Sequence, residues 1–175
     1  MWIFAYGSLI FRPNLAFLER RRAFVIGWGR RFWQGSPDHR GVPDAPGRVA
    51  TLLPIAGEVC GGCAYRLDPD RAAEILSALD VREQAGFERR RLSLHDAPEH
   101  APFAEGITWV ASADNAHFLG PLPEPEIAAY VRARRGPSGD NADYVLRLAA
   151  SLRELEIEDA HVEAVARDLE ASARA

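Results

Sequence analysis

Apolar residues dominate the first ten positions of the chain, and the run is interrupted by Gly7-Ser8 before it turns apolar again. Aromatic and β-branched residues bounded by a turn signal are typical of a buried strand rather than of a helix of this length. The pattern therefore predicts a core strand that ends in a tight turn. Because Gly7 has no Cβ, the turn can take positive φ and present backbone N–H groups to an anion. On shape alone, such a turn more often simply ends a strand than binds a ligand.

Strand-like patterns continue through the middle of the chain. Residues 23–33 are apolar and aromatic with interspersed glycines, which predicts a long strand with a bulge or bend. The aromatic side chains of this strand that we expect in the core are Trp28, Phe32 and Trp33. Residues 48–55 and 58–67 predict a hairpin that turns at Ala56-Gly57. The remaining predicted strands cover residues 87–95 and 106–112.

Helical periodicity first appears after residue 68. Asp68 suits an N-cap and Pro69 the first helical position, and apolar residues then recur at helical spacing up to Leu79. The C-terminal part predicts helices at about residues 126–135, 140–155 and 158–173. Strands first and helices last predict an α+β fold with an antiparallel or mixed sheet. At 175 residues the chain can bury one sizeable core, so we expect a single domain over residues 1–175.

The composition is that of an ordinary globular protein, with 47% hydrophobic and 26% charged residues. The net charge of -4 argues against a general affinity for nucleic acid, and the arginine runs at 20–22 and 89–91 are better explained as solvated faces. All 21 basic residues are arginine. The absence of lysine excludes Schiff-base catalysis, a lysine-bound cofactor and the lysine of a phosphate-binding loop.

Two cysteines and five histidines offer little metal chemistry. Cys60 and Cys63 lack the second pair that a closed zinc site needs, and their odd separation in a strand predicts core-filling thiols on opposite faces. The histidines form no pair at helical ligand spacing. We therefore expect neither a metal nor a cofactor. The sequence shows no signal-peptide pattern and no membrane-spanning apolar run, which predicts a soluble cytoplasmic protein without membrane association.

Three places in the chain carry candidate chemistry. Ser8 lies on a strand-turn, but its surroundings lack the second glycine of a nucleophile elbow, so a serine hydrolase is poorly supported. The long-loop segment Asp38-His39-Arg40 either serves catalysis or ligand binding, or stabilises the loop by hydrogen bonds. Glu83 follows the amphipathic helix beside Arg82. It is either a solvated helix end or a buried acid-base residue whose pKa rises from about 4.3 towards neutrality.

Several short segments keep the order and spacing of one known family. They are residues 2–10, 31–36, 38–41, 46–49, 79–83 and 136–139, with residues 119–121 and 141–144 agreeing as well. Together they resemble the ChaC family of glutathione-specific γ-glutamylcyclotransferases. The resemblance spans residues 2 to about 144, and only the last helix is uninformative. Ala5 departs from the pattern, since a glycine is frequent at that position.

The resemblance implies a compact β core, barrel-like and mixed or antiparallel, with flanking helices. It also implies that the α-amine of the γ-glutamyl group of glutathione attacks its own γ-carbonyl, releasing 5-oxoproline and cysteinylglycine. Glu83 matches the family's acid-base residue. The positions that match substrate-binding residues are Ala5, Tyr6, Gly7, Ser8, Leu9 and Tyr144. For Tyr144, a helix tyrosine packed on the core is an equal alternative. No metal, cofactor, enzyme nucleophile or obligate protein partner is implied.

Two other functions stay open at this point. The same fold can act on another γ-glutamyl compound, such as a γ-glutamylamine. A non-catalytic module can use the same turn to bind a γ-glutamyl peptide, although Glu83 beside an intact turn argues against it. Whether Arg82, His39 or Gln34 reach the substrate is also open.

Overall fold

The first strand, β1 (Trp2–Ala5), lies in the middle of a five-stranded sheet of order β2-β3-β1-β5-β4. The other strands are β2 (Glu19–Ser36), β3 (Gly47–Arg66), β4 (Phe87–Leu94) and β5 (Ala104–Ala111). β1 is antiparallel to β3 and parallel to β5, so the sheet is mixed. The computed structural model describes residues 1–172. The buried opening strand predicted from the sequence is thus confirmed as the centre of the sheet.

The helices agree with the α+β fold that the sequence predicts, although the first of them lies between β3 and β4 and only the others follow the five-stranded sheet. They are α1 (Ala72–Arg82), α2 (Glu124–Arg132), α3 (Asn141–Glu154) and α4 (Ala160–Ser172). A two-stranded ribbon, β6 (Arg135–Gly136) with β7 (Gly139–Asp140), separates α2 from α3. α1 begins later than predicted: the Asp68 carboxylate accepts from the Asp70 N–H (3.1 Å) and closes a separate turn before the helix. Residues beyond 172 of the predicted last helix lie outside the described part of the chain.

The predicted hairpin at Ala56-Gly57 is wrong. β3 is one strand of 20 residues that pairs with β2 from one end to the other, and the register shifts where Gly27 faces residues 55–58. Gly27 and Gly57 both have φ near +80°. A glycine with positive φ suits a bulge as well as a hairpin turn, so the local signal does not distinguish them. The bulge predicted within residues 23–33 is confirmed.

The barrel-like closure of the sheet is not confirmed. β2 and β4 are the two edges of the sheet, and they meet at a single isolated antiparallel bridge between Phe24 and His95, with both N–H to O distances at 2.9 Å. One bridge joins the edges at a point, and further along its open side β2 forms an isolated bridge from Gln34 to Phe118 rather than pairing with β4. The β core is therefore a mixed open sheet rather than a closed barrel.

Apolar faces of the helices cover the sheet. Ile75, Leu76 and Leu79 of α1 are buried, as their spacing predicts, and so are Val162, Val165 and Leu169 of α4. Both cysteines are buried free thiols in β3, and burial raises the pKa of Cys60 to about 11. Phe32 is fully buried, whereas Trp28 and Trp33 are only partly buried against the core.

Buried polar side chains attach the helices to the β2–β3 ribbon. The Arg30 side chain, wholly shielded from solvent, donates to Asp159 Oδ2 at 2.8 Å, at the start of α4. His161 Nε2 accepts from the Phe32 N–H (3.1 Å), which leaves its Nδ1–H to donate to Glu124 (3.0 Å). No described helix combines the length and the apolar character needed to cross a membrane.

Candidate active site

A cavity of about 480 Å³ opens beside the C-terminal end of β1. Its wall combines the loop of residues 6–9 (the β1 loop), the end of α1, the loop of residues 37–46 and one side chain of α3. All seven candidate site residues line this cavity: Ala5, Tyr6, Gly7, Ser8, Leu9, Glu83 and Tyr144. Segments as distant as residues 5 and 144 therefore converge on one space, of a size that suits a small-molecule ligand.

The β1 loop folds into one turn of 3-10 helix, Ser8–Ile10, closed by a bond from the Ile10 N–H to the Gly7 carbonyl (3.0 Å). Gly7 does not use the positive φ that is open to a glycine, since its φ is -127°. Glycine is favoured here for a different reason. A Cβ at this position would lie 3.2 Å from the Tyr144 hydroxyl oxygen, which is closer than ordinary contact. The small residue lets the loop approach α3.

Two tyrosines make the polar back wall of the cavity. The Tyr6 hydroxyl donates to the Trp109 carbonyl (2.6 Å), and burial, followed by the charge of Glu83, raises the Tyr6 pKa well above its usual value. The Tyr144 hydroxyl accepts from the Ala50 N–H (3.1 Å), and burial raises its pKa to about 12. Both phenols are therefore neutral at physiological pH. Tyr144 is 4% exposed and also lines the cavity, so it fits both alternatives raised by the sequence.

Glu83 is the first residue after α1, and its N–H still bonds the Leu79 carbonyl (2.9 Å). This turn directs its carboxylate into the cavity, where the side chain is 20% exposed. Burial raises the pKa of Glu83, Arg82 and His39 oppose that rise, and Asp38 adds to it. A carboxylate with a raised pKa accepts a proton more readily near neutral pH, as a general base must.

Arg82 connects Glu83 with the β1 loop. Its Nε lies 3.3 Å from Glu83 Oε1, and its Nη2 donates to Ser8 Oγ at 2.9 Å. Gln34, by contrast, does not line the cavity. It is fully buried and donates to the Ala85 carbonyl (2.9 Å), which supports the segment that follows Glu83.

The loop segment Asp38-His39-Arg40 is held by hydrogen bonds and also lies at the cavity. Ser36 Oγ donates to Asp38 and accepts from the N–H groups of His39 and Arg40, at 3.1 to 3.3 Å, so the loop is stabilised by hydrogen bonds. The same three side chains line the cavity, and the His39 ring bonds Ser138 Oγ (3.1 Å). His39 is thus placed near Glu83 by a hydrogen-bonded loop.

Sequence patterns missed Trp109, which lines the cavity, and the role of the neighbouring Asp80. Trp109 of β5 carries the carbonyl that holds Tyr6, and its ring N–H donates to Asp80 of α1 (2.9 Å), which also pairs with Arg89. These contacts hold the last turn of α1 on the sheet and so set the position of Glu83. Only Asp80 had a local signal, as one of the ionisable residues beside Glu83.

The comparisons with known proteins point to one family. The family model described as ChaC-like protein matches residues 1–172. Glutathione-specific γ-glutamylcyclotransferase 1 of human is 41% identical over 153 residues, which cover 85% of this chain and 68% of the human protein. The rat protein of the same name is 39% identical over 171 residues, covering 94% of this chain and 76% of that protein.

Solved structures agree with this grouping. A crystal structure of a γ-glutamyl cyclotransferase specific to glutathione from yeast superposes with a TM-score of 0.89 at 29% identity, covering 98% of this chain and 96% of that one. A second structure, named γ-glutamyl cyclotransferase, has a TM-score of 0.58 at 15% identity and supports the fold alone. The resemblance seen in the sequence is confirmed: the chain belongs to the ChaC-like family.

Proposed function

We propose that this protein is a γ-glutamylcyclotransferase that converts glutathione to 5-oxoproline and cysteinylglycine. The observation that carries the proposal is that Glu83, with its pKa raised by burial, and the β1 loop line one cavity. The names of the human, rat and yeast relatives support glutathione as the substrate. The cytoplasmic location predicted from the sequence remains a prediction.

The reaction needs one group that moves a proton twice. The carboxylate of Glu83 takes a proton from the α-amine of the γ-glutamyl group as its nitrogen attacks the γ-carbonyl carbon. The bond between that carbon and the cysteine nitrogen then breaks, and Glu83 returns the proton to the leaving amine. One C–N bond forms and one breaks, so no oxidant, water or enzyme nucleophile is consumed. A carboxyl whose pKa lies closer to neutrality performs both transfers more easily.

The β1 loop has the complementary task of holding the substrate. Its 3-10 turn leaves backbone N–H groups at the start of the turn without intrahelical partners, as at any helix start. We propose that these N–H groups bind the anionic part of the γ-glutamyl group. They belong to the loop that follows Ala5, which consists of Tyr6, Gly7, Ser8 and Leu9. The neutral hydroxyls of Tyr6 and Tyr144 bound the same end of the cavity. Ser8 serves here as part of the loop and not as a nucleophile.

The test is product release by the purified chain. Incubation with glutathione should yield equal amounts of 5-oxoproline and cysteinylglycine, measured by mass spectrometry. Glu83→Gln should lower kcat about 10² to 10⁴-fold because it removes the proton-transfer group, while the thermal midpoint changes little. Glu154→Gln, on exposed α3 surface, is the matched control and should retain wild-type rates.

Three outcomes would contradict parts of this proposal. Undiminished turnover by Glu83→Gln refutes its acid-base role. Faster turnover of a γ-glutamylamine in direct competition with glutathione moves the activity to another γ-glutamyl substrate. Tight binding of glutathione by the wild-type chain without any product identifies a binding module instead.

A further inference from the structure

We propose that Arg82 is a positioning residue for the reaction, and that it holds the β1 loop and the carboxylate of Glu83 at a fixed separation. This inference rests on the proposed function and extends it to a residue whose role the sequence left open. Arg82 would act through Ser8 and Glu83 rather than by bonding to the reacting atoms.

The geometry of the Arg82 guanidinium carries the inference. Arg82 is the last residue of α1, and its three nitrogens face three different partners. Nε lies 3.3 Å from Glu83 Oε1, Nη2 donates to Ser8 Oγ (2.9 Å), and Nη1 donates to the Arg12 carbonyl (3.4 Å). Two of these partners belong to the β1 loop and the turn that follows it. A planar guanidinium can bond in several directions at once from a rigid group, whereas a lysine ammonium acts as a point charge.

The location of these contacts distinguishes Arg82 from an ordinary surface ion pair. The side chains of Arg82 and Glu83 are 24% and 20% exposed, and both line the cavity. Arg66 and Glu19 form a pair for comparison, because their side chains are 45% and 39% exposed and neither residue lines the cavity. Exposed pairs of that kind contribute about 0 to 1 kcal/mol to stability. Arg82 instead joins two parts of the site that lie 74 residues apart in sequence.

Arg82 also affects the proton affinity of Glu83. Asp38 and His39 of the 37–46 loop also affect the pKa of Glu83. The charge of Glu83 in turn raises the pKa of Tyr6, after β1, and of Tyr144, in α3. Burial raises the pKa of Glu83, and the Arg82 cation is the largest opposing influence. Removing the cation should therefore raise that pKa further, while replacing it with another cation should not.

Two substitutions separate the charge of Arg82 from its geometry. Arg82→Gln should lower kcat/KM about tenfold to hundredfold, because a displacement of the reacting groups by a fraction of an ångström is costly. It should also shift the acidic limb of the kcat/KM profile to higher pH. Arg82→Lys keeps the charge, so the limb should stay in place while kcat falls about tenfold. Arg66→Gln is the matched control and should keep wild-type rates.

Ser8→Ala tests the bridge without altering Arg82. If Arg82 acts through Ser8, the loss in kcat/KM caused by Arg82→Gln should be clearly smaller in the Ser8→Ala background than in the wild type. Fully additive losses, or wild-type kcat/KM per folded molecule in both Arg82 variants, would overturn the proposal. The Ser8→Ala variant keeps the test informative even if an Arg82 variant does not fold, since unchanged kcat and KM in Ser8→Ala alone would also overturn it.

One measurement stands apart from turnover. A carbon NMR titration of the Glu83 carboxyl in the substrate-free protein should show a higher pKa in Arg82→Gln than in the wild type, with Glu83→Gln used to assign the signal. This shift is expected whether or not glutathione is the substrate. A missing shift contradicts the role of Arg82, whereas absent 5-oxoproline release by the wild type contradicts only the proposed function.

Discussion

Arg30 and Asp159 join the β2–β3 ribbon to α4, whereas Arg82 and Glu83 join the end of α1 to the cavity. The first pair is 2.8 Å apart, with the Arg30 side chain fully buried and that of Asp159 14% exposed. The second is 3.3 Å apart, and both side chains keep a fifth or more of their surface open to the cavity. Similar chemistry is thus placed in two environments that differ in access to solvent.

The difference shows what access to solvent makes possible. The Glu83 side chain is partly exposed to the cavity, so a proton can reach it, and burial raises its pKa, which favours uptake of a proton during a reaction. Arg30 has no such access. Its guanidinium also bonds the Gly61 carbonyl, and its role is to keep α4 on the sheet. One pair is suited to chemistry and the other to stability.

Removing the carboxylate of each pair should therefore give opposite results. Glu83→Gln should abolish most turnover at unchanged stability, as described above. Asp159→Asn should lower the free energy of unfolding by about 3 to 5 kcal/mol, because it leaves the charge of Arg30 buried without a counter-ion. Turnover per folded molecule should stay near the wild-type value. Urea unfolding and initial rates at low temperature measure the two effects.

Glu156→Gln is the matched control for Asp159→Asn. Glu156 pairs with Arg22 at 3.8 Å, and its side chain is 88% exposed, so the loss should stay below about 1 kcal/mol. If Asp159→Asn and Glu156→Gln cost the same, the buried pair has no special structural role and the comparison fails.

Gly7→Ala sharpens the comparison at the cavity. The new Cβ would lie 3.2 Å from the Tyr144 hydroxyl, so the β1 loop or α3 must shift by a few tenths of an ångström. We expect kcat/KM to fall about tenfold, with a smaller loss of stability. In a Tyr144→Phe background the hydroxyl is gone, and the added methyl group should cost much less. An equal loss in both backgrounds would show that Tyr144 is not the reason for glycine at this position.

His161 offers the smallest effect, a pH dependence of stability and not of catalysis. Burial lowers the pKa of His161 below its usual 6.5, so the folded protein favours the neutral ring that accepts from Phe32. The unfolded chain binds a proton more readily, and stability should therefore fall as the pH drops below about 6.5. Urea unfolding at pH 7.5 and 5.5 should show this loss.

His161→Gln should lose less stability than the wild type between those two pH values, because the titrating ring is absent. His100→Gln, at an exposed position, should behave like the wild type. A pH dependence unchanged by His161→Gln would assign the effect to other groups.

The sequence by itself determined several local elements and placed two parts of the candidate site in them. The apolar run broken at Gly7-Ser8 predicted β1 and its turn, and the apolar spacing that ends at Leu79 predicted α1 with Glu83 just beyond it. These features depend on neighbours a few residues away, which is the range that periodicity and turn chemistry report. The resemblance of these segments to the ChaC family then pointed to the cyclotransfer reaction.

Only the tertiary structure decided which distant residues meet. Gly57 became part of a bulge because β3 pairs with β2 along its whole length, and the space beside Gly7 is limited by a hydroxyl 137 positions away. The pairing of Arg30 with Asp159, separated by 129 positions, has no local pattern at all. Burial and long-range pairing follow from how the whole chain packs. For that reason, one arginine–carboxylate pair became a structural link, and the other became part of a candidate site for proton transfer.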